Sequence, residues 1–409
     1  MRRGYGVQIA AFLAVVGPGL LAGLSDDDAG GITTYSILGA EKGYRLLWVL
    51  TVSTVMLILF HLIAIRLGAV TGQGIAGLIR ERFGARAAAL AITLLVVANL
   101  GTTCAEYAGI AAALGLAGVP PIVSVPIAAL GVSWLVVAAA FHRVERVLLL
   151  LSAILVAYVA SGILARPDWG AAARGTVVPG LTLDRTTILL VTATIGTTIA
   201  PWGLAFIQSY AVDKKLRPDD LVFARVEVVV GAVLTGVVGF FVVVACAATL
   251  FVQHRSIGDA RDAAVALEPL AGASAARLFG AGLLGASLLA AAILPLSTAY
   301  SVAETFGTPS ALDARAGEAR LFYGTFAAIS GGAAAIVVVP GMPLVPVLYL
   351  SQALNAILLV PLLVFTILLA RDRGLMGAHR IGTTMATLAW ATFFTVSVCV
   401  AALGYTTFS

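Results

Sequence analysis

The stretch "LSDDDAGGITTY", residues 24–35, sets three consecutive aspartates in a chain that is otherwise mostly apolar. One apolar run, 9–24, leads into it, and another begins at Leu46. Either the aspartates lie in a loop between two membrane spans, or they interrupt a single span. Two complete spans would need about 40 apolar residues, more than the region supplies. Adjacent Gly30 and Gly31 make a poor helix interior, at about 1 kcal/mol each against alanine, and adjacent carboxylates repel. Yet "ITTYSILGA" (32–40) resumes as a half-helix before the charged turn "EKGYR" (41–45). A discontinuous span fits better than a loop.

Composition supports a membrane reading. The chain has 409 residues, 60% hydrophobic and 11% charged, with mean hydropathy +1.04. Soluble domains carry about 25% charged residues. The chain therefore reads as a single integral membrane domain over 1–409 with no room for a soluble one. Its net charge of +5 reads as a topology signal and not as nucleic-acid binding. Cys104, Cys246 and Cys399 sit in apolar stretches without metal or disulfide spacing and read as small core residues. Met1-Arg2-Arg3 before an apolar run mimics a signal peptide, but no small-residue cleavage site precedes the aspartates. The expectation is a retained first span.

A span needs roughly 20 apolar residues. On that measure eleven are expected, near 9–37, 46–70, 87–115, 122–141, 147–165, 186–212, 222–253, 277–307, 320–340, 345–370 and 380–405. With the N-terminus cytoplasmic, the inside segments hold 17 of the 25 basic residues. These are Arg2, Arg3, Arg66, Arg80, Arg82, Arg86, Arg143, Arg146, Lys214, Lys215, Arg217, Arg225, Arg315, Arg320, Arg371, Arg373 and Arg380. The positive-inside rule then places the C-terminus outside.

Span 6 repeats the device of span 1. "TTILLVTATIGTTIAPWGLAFIQSYAV" (186–212) carries Gly196, Pro201 and Gly203 at mid-depth, with Thr197 and Thr198 beside them. Non-helical backbone at that depth persists only where it is buried in protein or lines a cavity. Interrupted spans at matching places in two halves point to a transporter of five-helix inverted repeats, here approximately 9–165 and 186–370 with an additional helix at 380–405. The fold expected is all-α, LeuT-type, with helices 1 and 6 broken.

Intramembrane carboxylates are costly and default to function. Asp26, Asp27, Asp28 and Glu106 are the candidates. Glu227 reads as facing the interface, Glu304 as a helix-end residue beside the turn "FGTPS", and His61 as a core histidine. Carboxylates, hydroxyls and freed carbonyls make a hard-cation site, and no Cys, Met or His lies in either break to select a softer ion. A nucleophile–base pair or a His/carboxylate metal motif within one span, which an intramembrane enzyme would need, is not found. The internal repeat argues against a multi-subunit channel ring.

"VVGPGLLAGLSDDDAGGITTYSILGAEKGYRLLWVL" (15–50) resembles the first-span signature of Nramp divalent-metal transporters. In that signature Gly-Pro-Gly leads to an Asp-Pro-Gly-Asn break and then Gly-Tyr-x-Leu-Leu-Trp. Gly43 to Trp48 set the register without gaps, so Asp28 falls on the family's metal-binding aspartate, Ala29 on its proline, Gly30 on its glycine and Gly31 on its asparagine. "TCAEYAG" (103–109) resembles the span 3 pattern Asp-x-x-Glu, with Thr103 replacing the aspartate and Glu106 retained. "SQ" (351–352) resembles the start of the span 10 polar motif, and "RDRGLMG" (371–377) the loop that follows. Where the family carries Met-Pro-His in span 6, this chain reads Ala200-Pro201-Trp202. The sulfur ligand and the proton-linked histidine are absent, a combination similar to the Nramp-related magnesium transporters.

The resemblance implies a carrier of Mg²⁺, with Mn²⁺ also carried, moved as a partly hydrated ion and uncoupled from protons. Asp28 would be the primary ligand, Gly31 and Ala200 would set the cavity volume, and Thr197 would supply oxygen. Gln352 would donate oxygen in an occluded state. Asp27 would line the approach, Glu106 a vestibule wall, and Asp26 the periphery. A divalent ion as substrate and the lipid bilayer of a plasma (inner) membrane are the expected partners, with no cofactor, nucleic acid or obligatory protein partner. The alternatives are a proton-coupled Mn²⁺/Fe²⁺ transporter of the ordinary type, or a cation-coupled carrier of small organic solutes with the same fold.

Overall fold

The computed structural model describes residues 27–137, 157–308 and 319–408, and these contain helices and no strand. Asp26, the upstream half of span 1, parts of spans 4 and 5, and Arg2, Arg3, Arg143, Arg146 and Arg315 lie outside the described residues. In chain order the principal helices are α1 (Ala29–Lys42), α2 (Leu47–Thr71), α3 (Ile75–Phe83), α4 (Ala85–Gly115), α5 (Pro121–Val137), α6 (Ala157–Leu164) and α7 (Trp169–Val177). They continue with α8 (Arg185–Thr198), α9 (Pro201–Asp213), α10 (Leu221–Cys246), α11 (Ala275–Phe306), α12 (Arg320–Val337), α13 (Leu344–Arg371) and α14 (Thr383–Phe408). Among the described residues eight helices are long and apolar enough to cross a membrane. They take the places expected of spans 2, 3 and 6 to 11, while spans 1, 4 and 5 fall partly on residues that are not described.

The helix start expected after the aspartates and the break in span 6 are both present. Helix α1 begins directly after the aspartates, with Asp28 as its N-cap. In span 6 only Ile199 (φ −115°, ψ 71°) and Ala200 (φ −76°, ψ 142°) leave the helical region. The break is tighter than the Gly196–Gly203 window of the sequence reading. Pro201 opens α9 at the position where its missing N–H is not needed. Gly196 instead continues α8, where it permits close approach: a Cβ there would run into the Gln352 carbonyl and Ala356 of α13.

The two half-helices form the centre of the bundle. Helix α1 is buried along nearly its whole length and packs on α4, α8, α10 and α13, and α8 is buried almost as completely. Tyr35 of α1 and Thr198 of α8 share a hydroxyl–hydroxyl bond of 2.9 Å. The periphery exposes apolar side chains. On α10 the exposed residues Val222, Val226, Val230, Val233 and Val237 recur at helical spacing, and Leu388, Phe394 and Val398 are exposed on α14. Glu227, expected at an interface, is buried on α10.

Amphipathic α3 crosses one end of the bundle, burying Ile75, Ala76, Leu78 and Ile79. It and the turn before it are tied to α9, α11 and the end of α13. Arg80 donates to the Thr305 carbonyl of α11, and Arg82 pairs with Asp372 just after α13 at 2.5 Å. Gln208 of α9 donates to the Gln73 carbonyl at 2.9 Å.

Because α8 rests on α13 through a side-chain-free surface, Gly196→Leu is expected to overpack the centre. Overpacking costs about 1–3 kcal/mol, read as a lowered melting temperature of the purified protein by tryptophan fluorescence. Gly331→Leu, at a position with no atom within 4 Å of an added Cβ, should leave melting unchanged. Equal melting of the two variants would contradict the packing.

Candidate cation site

Asp28 closes the first turn of α1 on itself. Its Oδ1 accepts the Gly31 N–H at 2.6 Å, and its carbonyl accepts the Ile32 N–H at 3.0 Å. This satisfies part of a helix start that would otherwise leave four N–H groups unpaired. One cap bond leaves most of the carboxylate's roughly four lone-pair positions available. Gly31 thus contributes its amide to holding Asp28, a role that the sequence reading, which gave it only cavity volume, did not assign.

Glu106 reaches the same turn from α4. Its Oε2 accepts the Ala29 N–H at 3.3 Å, and its Oε1 is buried without a hydrogen-bond partner among the described residues. The sequence reading put Glu106 on a vestibule wall, whereas the structure puts it one residue from Asp28. Asp28 is 3% exposed and Glu106 0%. The ion pairs Lys42–Asp184, Arg82–Asp372 and Arg255–Asp262 all involve residues outside this turn. Buried charge of this kind is found paired or bound to a metal. The α1 N-terminus favours the ionised carboxylates but supplies no full charge. Asp27 is equally buried, and neither of its carboxylate oxygens has a hydrogen-bond partner among the described residues.

Gln352 approaches from α13. A Cβ on Gly30 would fall on its amide nitrogen, so the glycine lets this side chain lie against the α1 start. Its orientation is set by a polar network that the sequence reading missed. Asn355 donates to Gln352 Oε1 and to Thr102 Oγ1, both at 2.9 Å. Asn99 donates to Thr298 Oγ1 at 2.8 Å. The signal was available: Asn99, Thr102, Thr103 and Glu106 recur at i, i+3, i+4 and i+7, a polar stripe along one face of an apolar span.

Four of the candidate residues, Asp28, Gly31, Glu106 and Gln352, therefore meet at residues 28–31. Thr197 and Ala200 belong to the second break. Thr197 has a buried hydroxyl without a partner among the described residues. Its carbonyl has no helical donor, because the residue four positions on is Pro201. Ala200 belongs to an apolar cluster with Trp202, Leu289 and Ile293. Trp202 is buried in that cluster as a packing residue. Among the described residues no group of three or more His, Cys, Asp or Glu could hold a metal. The available donors are one or two carboxylates with neutral oxygens, which suits an ion that keeps part of its water.

Residues 19–406 match the family model described as Nramp, natural resistance-associated macrophage protein-like. The divalent metal cation transporter MntH of Burkholderia ambifaria is 32% identical over 282 residues, 66% of this chain and 64% of that protein. MntH of Granulibacter bethesdensis is 28% identical over 279 residues, and the match spans 62% of its length. MntH of Yersinia enterocolitica is 27% identical over 371 residues, 87% of this chain and 86% of that protein. A manganese transporter of Eremococcus coleocola, solved in complex with an aromatic bis-isothiourea substituted compound, superposes with a TM-score of 0.78 at 20% identity. That superposition covers 98% of this chain and 89% of the other. MhsT in complex with L-phenylalanine gives 0.62 at 15% identity, over 94% and 98% of the two chains. At these identities the likeness is one of fold, and it bears out the all-α, LeuT-type architecture expected from the sequence.

The network around Gln352 makes its own prediction. Asn355→Leu strands Gln352 and Thr102, and a stranded buried polar group costs about 1–3 kcal/mol. Adding Thr102→Val should recover part of the loss in melting temperature. Strict additivity of the two substitutions in a double-mutant cycle would show that the network is not coupled.

Proposed function

The chain belongs to the Nramp family, and on that premise we propose that it carries divalent metal cations across a plasma (inner) membrane, Mg²⁺ preferentially and Mn²⁺ also. The observation that carries the reading is the meeting of buried Asp28 and Glu106 at one helix start, with neutral oxygens beside them. Asp28 is the primary ligand. Glu106 and Gln352 complete the wall around residues 28–31, Asp27 lines the approach, and Thr197 with its carbonyl adds oxygen from the second break. Gly31 and Ala200 stand where bulkier or softer ligands would narrow the space. The whole of 1–409 acts as one transporter domain, with repeats near 9–165 and 186–370. The α3 end and the N-terminus face the cytoplasm and the C-terminus lies outside.

Ion preference follows from donor chemistry. Mg²⁺ sheds its waters reluctantly and is commonly held by one or two carboxylates with several waters retained. Mn²⁺ shares the preference for oxygen, whereas Cd²⁺ is favoured by sulfur, and none is offered at the breaks. Span 6 carries no histidine and Thr103 stands where an aspartate would relay a proton, so the membrane potential is the driving force. It supplies about 2.3 kcal/mol per charge per 100 mV, hence about 4.6 kcal/mol for a divalent ion. The retained Glu106 beside Asp28 favours a second reading, a proton-coupled Mn²⁺/Fe²⁺ transporter.

Reconstitution in liposomes distinguishes the two. Mg²⁺ uptake is expected, inhibited by Mn²⁺ and little affected by Cd²⁺, with no acidification of the lumen. A proton current that tracks metal flux, or strong inhibition by Cd²⁺, would support the second reading instead. Asp28→Ala should abolish uptake of Mg²⁺ and Mn²⁺ in protein that still elutes as a single species. Retained uptake would remove Asp28 from the site.

A further inference from the structure

Glu304, which the sequence reading left as a helix-end residue, is held inside the bundle by α9 and the residue before α3. Ser297, Ser301 and Glu304 recur at i, i+4 and i+7 on α11 and so form one stripe, about 10 Å long at 1.5 Å per residue. The stripe meets α9 at both ends. Ser297 Oγ donates to the Trp202 carbonyl at 3.2 Å, and Glu304 Oε1 accepts the Ser209 hydroxyl at 2.8 Å. Between them Ser301 is 0% exposed, with no partner for its hydroxyl among the described residues.

Gln208, next to Ser209, is also 0% exposed. Its Nε2 donates to the Gln73 carbonyl, while its Oε1 is buried without a partner among the described residues. The following residue, Gly74, is the seat of the Glu304 carboxylate, since a Cβ at Gly74 would coincide with that group. The Gln208 amide and the Glu304 carboxylate therefore rest on consecutive residues. Glu304 Oε2 is buried and likewise unpartnered, and among the described residues no Lys or Arg pairs with Glu304. Neighbouring Arg80 is engaged with the Thr305 carbonyl.

We propose that Glu304, Gln208, Ser209 and Ser301 form a second site for a hard divalent cation, separate from Asp28 and placed at the α3 end of the α9–α11 seam. The donors are a carboxylate, an amide oxygen and hydroxyls, the oxygen set that such ions take. A single carboxylate gives a weaker site than one shared by Asp28 and Glu106. The proposal rests on the reading of the chain as a divalent-cation carrier.

The test is Mn²⁺ binding by the full chain in lipid nanodiscs, with free Mn²⁺ followed by its paramagnetic resonance signal. Asp28→Ala should leave one weaker Mn²⁺ site. Adding Glu304→Gln, which keeps shape and can still accept the Ser209 bond, should remove that site. Adding Gln208→Leu should weaken it by about tenfold or more. An Asp28→Ala protein with no bound Mn²⁺, beside a wild type that binds one ion, would overturn the second site and leave the central one standing. A residual ion that survives both Glu304→Gln and Gln208→Leu would overturn it equally. A wild type that binds no Mn²⁺ would overturn both.

Discussion

Two carboxyl groups buried at one helix start are the constraint on which this structure turns. Asp28 and Glu106 converge on the first turn of α1, and the protein answers with partial measures: the Gly31 and Ala29 amides and the positive end of a helix. These lower the cost of burial without neutralising it. The start of α1 at Ala29 fits the same constraint, because a helix running through the aspartates would have used those amides internally. The break in span 6 complements it with Pro201, which withholds a donor from the Thr197 carbonyl.

The surrounding polar side chains hold the geometry rather than add charge. Asn355, Thr102 and Gln352 form a closed set of bonds between α4 and α13, and Tyr35 and Thr198 join α1 to α8. In a bilayer such bonds, together with close backbone approach, replace the hydrophobic drive that packs soluble helices. The elements that present oxygen to the centre are therefore also joined to one another by buried hydrogen bonds.

Much of this was legible in residue order. The aspartates with paired glycines marked the start of α1, and Pro201 shortly after Thr197 and Thr198 marked the break in span 6, because each violates helix chemistry inside an apolar run. Helix boundaries for spans 2, 3 and 6 to 11 also followed from run length. What did not follow was depth and direction. Glu106 read as a wall because a single span says nothing about which neighbour it faces. Glu304 read as a helix end because its burial depends on Gly74 and Ser209, both remote in sequence. Asn355 went unnoticed because one asparagine among leucines gives no periodicity, although the stripe on α4 facing it did.

Helix α3 gives the bundle a mechanical property that no single contact would. Its short length is fastened at once to α9, α11 and the end of α13. A displacement of α9, α11 or α13 at this end therefore loads the joints of the other two. That shared attachment is a nine-residue amphipathic segment together with the turn that precedes it.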